Sequence, residues 1–261
     1  MVRQPVRRRA RLAALSLALA LPVAGAAQNL APATIAQVKA SIVAVGTFEA
    51  LRNPPFTFSG TGFAVGDGLQ IATNEHVLPK TLDTGRNETL AVAVQAADGS
   101  VQVRPVRRLA ADPAHDLALL KLEGAPLPAL RLGNSERVRE GESYLLTGFP
   151  IGAVLGLYPA THQIMIAAVT PIVIPAAGAD KLDARSARQL AKGAFPIFQL
   201  DGTAYPGNSG SPVYDAASGE VIGIVNSVFV KGTKESAITQ PSGITYAIPS
   251  VKLRELLDRS H

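Results

Sequence analysis

Residues 58–78 read FSGTGFAVGDGLQIATNEHVL. Two short apolar runs, GTGFAVG and LQIATN, are separated by glycine and aspartate, and His76 follows them at the start of a turn. Apolar runs this short, bounded by turn residues, read as strands. The triplet Gly60-Thr61-Gly62 looks like the opening of a dinucleotide-binding loop, but that fingerprint requires a strand, the loop and a helix in that order. No helical pattern follows, so nucleotide binding is set aside.

The same pattern fills the chain on both sides. From Ser41 onward come SIVAVGTF, LAVAVQA, VQVRPV, LALLKL, SYLLTGF, QIMIAAV, PIVI, FPIFQL, SPVYD, EVIGIVNSVFV and ITYAIP, mostly β-branched or aromatic and punctuated by Gly, Pro, Asn or Asp. Many short strands at this spacing predict an all-β barrel or sandwich rather than alternating βα units. Helix signals are few. Thr34-Ile35-Ala36-Gln37 fits a capping box opening a short N-terminal helix, and Ser250 is placed to cap a C-terminal helix carrying Leu253, Leu256 and Leu257 at helical spacing. A third candidate, ADKLDARSARQLAKG at 179–193, is polar enough for a solvated insertion or lid. The stretch 124–141, GAPLPALRLGNSERVREG, separates two β halves of similar length, placed at residues 27–130 and 131–261.

Residues 1–26 read as an export signal. Arg3, Arg7, Arg8, Arg9 and Arg11 form a basic start, LAALSLALALPVAG an apolar stretch, and Ala24-Gly25-Ala26 a run of small residues suited to cleavage. Pro22 interrupts the apolar stretch, which falls short of the about 20 residues a spanning helix needs. A periplasmic or secreted protein is expected, with no stable membrane insertion after cleavage. Those 26 residues hold five of the 25 basic side chains and none of the 20 acidic ones, so the remainder is formally neutral. Bulk charge therefore makes no case for nucleic-acid binding.

Cysteine is absent, which excludes disulfides, a thiolate nucleophile and cysteine-ligated metal together. The four histidines, at 76, 115, 162 and 261, form no HxH or HxxxH pair, so neither a metal nor another cofactor is expected. A chain of this length can bury a full core in one domain or in two tightly joined halves.

Residues 206–212 read PGNSGSP, two serines among turn residues. A serine hydroxyl becomes a nucleophile only with a base in reach and a third group orienting that base. His76 can serve as the base, since an imidazole titrates near working pH. Asp116, in DPAHDLALLKL beside a long apolar run, can orient it. The chain order His76, Asp116, Ser209 is that of chymotrypsin-like arrangements rather than subtilisin-like or α/β-hydrolase ones. His115 and His162 are read as surface or packing residues.

FSGTGFAVGDGLQIATNEHVL, DPAHDLALLKL, GFPIG, FQLDGTAYPGNSGSPV and GITYAIPS resemble, in order and spacing, the protease domain of the HtrA/DegP-type trypsin-like serine proteases, from about Val38 to Leu257. The resemblance implies two antiparallel six-stranded β-barrels of chymotrypsin-like type, with a triad in the cleft between them and a C-terminal helix. It implies His76 as general base, Asp116 as its orienting acid and Ser209 as nucleophile. The oxyanion hole would come from the backbone N–H groups of Gly207 and Ser209, helped by Asn208. Ser211 stands where the family commonly has glycine and gains no role. Asn208 replaces the aspartate with which digestive relatives pair a newly cut N-terminus, so activation by that ion pair is not expected. No PDZ domain is expected after the C-terminal helix, and residues 160–195 fit the family poorly.

Thr203, the strand around Asn226-Ser227-Val228, and Ile244 are the candidates for the substrate pocket and its pairing edge. No acid is placed to meet a basic P1 side chain, which favours a small or medium aliphatic one. The expected activity is endopeptidase cleavage of accessible or unfolded polypeptides through an acyl-enzyme, with self-association left open. Two competing readings use the same fold: a non-catalytic, chaperone-like binding protein, and an esterase working through the same triad.

Overall fold

The computed structural model describes residues 31–95, 99–152, 156–172, 195–203, 205–226 and 244–260. Two closed β-barrels account for most of them. The first contains β1 (Ile42–Phe48), β2 (Phe56–Val65), β3 (Gln70–Thr73), β4 (Thr89–Gln95), β5 (Val101–Asp112) and β6 (Leu117–Leu122). Around the barrel these run β1-β2-β3-β6-β5-β4, each pair antiparallel, with β4 closing on β1. The second contains β7 (Ser143–Gly148), β8 (Ala160–Ile172), β9 (Phe195–Asp201), β10 (Pro212–Tyr214), β11 (Val221–Asn226) and β12 (Ile244–Pro249). Its order is β10-β11-β12-β9-β8-β7, again all antiparallel, and β7 closes on β10.

Each barrel has its own interior, and a third apolar cluster joins the two. Val43, Val45, Ala64, Ile71, Val92, Ala118 and Leu120 fill the first barrel, while Leu146, Ile166, Phe198, Leu200, Val213 and Val225 fill the second. The alternate residues Ile42, Ala44, Phe63, Leu117 and Leu119 point the other way, into a cluster shared with Tyr214, Val221, Ile224 and Ile248 of the second barrel. Strand side chains alternate between faces. Runs such as LALLKL are therefore apolar at consecutive positions because both of their faces are buried, one inside the barrel and one between barrels.

Three local expectations are corrected. The N-terminal helix α1 already runs at Ala31 and extends to Lys39, so Thr34 is an interior helical residue buried beside Val38 and not a cap. The C-terminal helix α2 (Ser250–Asp258) begins with Ser250 as its first helical residue, its hydroxyl donating to the Gly133 carbonyl at 3.0 Å. The cap comes from elsewhere in the chain: Val251 N–H donates to Ser135 Oγ at 3.0 Å. QIMIAAV and the start of PIVI are one strand, because β8 continues through Pro171, which lies opposite Pro196 where neither residue offers a ladder donor. The candidate helix at 179–193 and the export signal lie outside the described residues.

A polar tie also crosses from the first barrel to the end of the chain. Asp112, buried at the end of β5, accepts from His115 Nδ1 at 2.9 Å, from Arg259 Nη2 at 2.8 Å and from the Ala114 N–H at 3.2 Å. The His115 hydrogen bond, followed by that of Arg259, holds the Asp112 carboxyl far below the usual carboxylate range against the opposing effect of burial. A depressed carboxylate stabilises the fold above its unfolded value near 4, and that contribution fades as pH falls toward the folded value. Asp112→Asn is expected to be less stable than the parent at pH 7 by about 1–3 kcal/mol, the range for charge-assisted hydrogen bonds. The gap should narrow below about pH 4. Urea unfolding at pH 7 and pH 3 checks this, and an equal gap at both would refute it.

Candidate active site

β3 ends at Thr73, and the chain turns through a 3₁₀ helix at Glu75–Val77 that carries His76. Asp116 closes the turn between β5 and β6. Its backbone is left-handed, with φ 52°, a region aspartate tolerates better than most residues. The Asp116 carbonyl accepts from the Glu75 N–H at 3.2 Å and Asn74 Nδ2 at 3.0 Å, which clamps the two loops together. Its carboxylate then receives three donors: Oδ1 takes the His76 N–H at 2.9 Å, and Oδ2 takes His76 Nδ1 at 2.5 Å and Asn226 Nδ2 at 2.7 Å.

Those contacts fix the imidazole as well as the acid. A carboxylate only accepts, so Nδ1 carries the proton and a neutral imidazole leaves Nε2 as an acceptor. Nε2 lies 2.9 Å from Ser209 Oγ, within reach of the hydroxyl proton. His76 and Asp116 come from the first barrel and Ser209 from the second, so the line of hydrogen bonds crosses between them.

The Ser209 loop is defined by where its carbonyls go. Tyr205 O accepts from Asn208 N–H, Pro206 O from Ile151 N–H, and Asn208 O from Ser211 N–H, at 3.0, 2.8 and 3.0 Å. Thr61, from β2, supplies the rest: its Oγ donates to Gly207 O at 2.7 Å and its N–H to Ser209 O at 2.8 Å. In a trans peptide the N–H points opposite the carbonyl. Tying down Pro206 O and Asn208 O therefore turns the N–H groups of Gly207 and Ser209 away from those anchors, and among the described residues neither has a partner. Gly207 suits this geometry: its φ is 104°, and a Cβ there would stand 2.3 Å from the Phe149 carbonyl oxygen.

Other candidates from the sequence fall differently. Asn208 gives its N–H to Tyr205, and its side-chain amide is buried with no hydrogen-bond partner among the described residues. Asn226 is buried at the end of β11, and its side-chain amide donates to Asp116 Oδ2, so it helps orient the acid. Thr203 is half-buried between β9 and the Ser209 loop, and Ile244 opens β12 opposite Asp201. Ser227 and Val228 lie outside the described residues. Ser211 has its hydroxyl enclosed with no partner among the described residues, against the space where Gly148 lacks a side chain. Sequence reasoning missed Thr61 and Asn74. The one signal for Thr61 is its position between two glycines in an otherwise apolar strand.

Comparison with known proteins agrees with this architecture. The trypsin-like peptidase domain family matches residues 60–224. A probable periplasmic serine endoprotease, DegP-like, of Chlamydia pneumoniae is 32% identical over 200 residues, covering 77% of this chain and 34% of its own length. Its counterpart of the same description in Ectopseudomonas mendocina is 31% identical over 191 residues, covering 73% and 32%. The chain thus spans about a third of the length of these relatives. Among solved structures, the HtrA-type protease AlgW with a tripeptide superposes with TM-score 0.59 at 25% identity, covering 86% of this chain and 61% of that one. A variant of that protease with a decapeptide gives TM-score 0.60 at 23% identity over 87% and 65%, a likeness of fold. With the family match spanning β2 to β11 and the barrels in the same arrangement, this chain is an HtrA/DegP-type member of the trypsin-like peptidase domain family.

Proposed function

We propose that the protein is an exported serine endopeptidase that cleaves accessible or unfolded polypeptides through an acyl-enzyme. The observation that carries the reading is the continuous line from Asp116 through His76 to Ser209 Oγ. As Oγ bonds to the scissile carbonyl carbon, its proton passes to His76 Nε2, and Asp116 steadies the imidazolium that forms. The carbonyl oxygen becomes an oxyanion, received by the N–H groups of Gly207 and Ser209. Removing one such donor typically costs about 100-fold or more in rate. Collapse breaks the C–N bond, and the leaving amine takes the proton from Nε2. Water then repeats the sequence on the ester, giving its proton to Nε2, and Ser209 regains it on release of the acid.

The names of the DegP-like relatives, periplasmic serine endoproteases, support both the reaction class and the compartment, which the basic and apolar start of the chain fits independently. Residues 27–130 and 131–261 are the two halves of the proposed protease domain, one barrel in each. Thr203, Ile244 and the chain at Ser227 and Val228 remain the proposed surroundings of the substrate, with a small or medium aliphatic P1 side chain.

A serine-reactive fluorophosphonate, with casein cleavage measured alongside, tests the reading. The parent protein is expected to be labelled and to cleave casein, and Ser209→Ala to do neither. A folded parent that takes no label would overturn the enzyme assignment, and labelling without casein turnover would favour the esterase. Asn226→Ala removes a hydrogen bond to a charged group and should lower kcat about tenfold or more. Ser211→Ala should keep most activity and melt no lower than the parent, since its hydroxyl is buried without a partner. Loss of labelling in a folded Ser211→Ala would place the nucleophile at Ser211 instead.

A further inference from the structure

The turn that carries Asp116 has a carboxylate at each end, and the two are held by different parts of the molecule. At one end Asp116 meets His76 and Asn226. At the other, Asp112 gathers the turn onto itself. Its carbonyl accepts the His115 N–H at 3.1 Å, its Oδ1 the Ala114 N–H at 3.2 Å, and its Oδ2 both His115 Nδ1 at 2.9 Å and Arg259 Nη2 at 2.8 Å. Because Asp112 only accepts, the His115 ring carries its proton on Nδ1. The ring also stands edge-on to Phe195 at the start of β9, with centroids 4.7 Å apart.

Although its side chain is largely exposed, Arg259 is tethered at both ends of its guanidinium. It follows α2 directly, and its Nε donates to the Glu255 carbonyl at 3.0 Å, so the helix sets the direction of the guanidinium. The helix is set in turn by buried Leu253 and Leu256 and by Arg254, whose Nη2 donates to the carbonyls of Leu132 and Gly133 at 2.9 and 3.1 Å. His115, the residue immediately before Asp116, is thereby held by Asp112 of β5 and stands against Phe195 of β9, while Arg259 meets the same Asp112 carboxylate from the end of α2. A non-glycine residue in left-handed backbone persists only where its surroundings hold it there. Relaxation of Asp116 would turn its carbonyl off Asn74 and Glu75 and swing its carboxylate off His76.

We propose that Asp112, His115 and Arg259 are positioning residues for Asp116, so that the end of the C-terminal helix governs turnover at a site to which it contributes no reacting atom. The inference rests on the protease reading above. It separates from a purely structural role because the loss should appear in kcat and in the His76–Asp116 hydrogen bond, and not only in stability.

The test compares the full chain with Arg259→Ala, Arg259→Lys and Asp112→Asn. Melting temperature, kcat and KM on labelled casein, fluorophosphonate labelling rate and the downfield proton resonance of His76 Nδ1 are measured for each. Arg259→Ala is expected to stay folded, lose about fivefold to tenfold in kcat and in labelling rate, and keep KM within about twofold, as loss of a charge-assisted hydrogen bond predicts. Its downfield proton should broaden or shift, and Arg259→Lys, which restores a cation opposite Asp112, should recover at least about half of the lost kcat. A lower melting temperature with unchanged kcat, a change in KM alone, or equal losses in the Ala and Lys variants would overturn the proposal. Should Arg259→Ala fail to fold, the nearly isosteric Asp112→Asn is read by the same criteria. If the parent neither labels nor cleaves, the protease reading fails. The claim on turnover falls with it, and the downfield proton alone decides whether Arg259 positions Asp116: moved by Arg259→Ala that positioning stands, and unmoved it falls.

Discussion

Thr61 is where the two barrels are pinned at the reacting centre. Its hydroxyl donates to Gly207 O and accepts from Phe149 N–H, its N–H donates to Ser209 O, and its own carbonyl accepts from Thr73 Oγ. One residue of the first barrel thus holds the loop of the second that carries Ser209. The approach is close enough that a Cβ on the neighbouring Gly60 would lie 3.1 Å from the Ser209 carbonyl oxygen and 2.7 Å from Val77. Each of these hydrogen bonds contributes only about 1 kcal/mol net. The bulk of the docking free energy comes from the shared apolar cluster of Phe63, Leu117, Tyr214, Ile224 and their neighbours. Apolar burial brings the barrels together without direction, and Thr61 sets the register at which Oγ meets Nε2.

The same division of labour explains two buried carboxylates within five residues. An aspartate out of water is costly unless its lone pairs are met. Asp116 meets them with donors from both barrels, and Asp112 with donors from its own turn and from the residue after α2. Neither acid is satisfied by its own strand. Both networks are complete only when the barrels and the C-terminal helix are docked together, so formation of the site and completion of the fold are one event.

This is also why some of the site was legible in the sequence and some was not. The strands could be read because their apolar runs are short and bounded by turn residues. His76, Asp116 and Ser209 could be read because the chemistry demands those residue types, and only one setting for each fits. The contact of the Asn226 amide with Asp116 could not be read, because its direction depends on how β11 docks against the first barrel. Thr34 and Ser250 misled for a related reason: a capping pattern is local, and the cap of α2 is supplied by Ser135, far away in the chain. His115 looked like ordinary packing, since the residue that shares its Asp112 carboxylate, Arg259, lies more than a hundred residues further on. The triplet Gly60-Thr61-Gly62, which looked like a nucleotide loop that lacked its helix, is the glycine-flanked contact on which the Ser209 loop rests.

A loop that presents N–H groups to an oxyanion is useful only if it does not collapse onto its own carbonyls. Rotating the Pro206–Gly207 peptide would carry Pro206 O away from Ile151 N–H and remove the Gly207 N–H from the proposed hole. In the observed arrangement that rotation breaks a 2.8 Å hydrogen bond and leaves the Ile151 N–H without its partner. Ile151 itself sits at φ 50°, an unfavourable conformation for a β-branched residue. Strain of this kind survives only where neighbouring contacts over-determine it, and its N–H is directed at the one carbonyl whose position sets the Gly207 N–H. On the other side, Thr61 grips Gly207 O and Ser209 O. The loop is held from both barrels in the conformation the proposed chemistry needs, by contacts that form as the barrels dock.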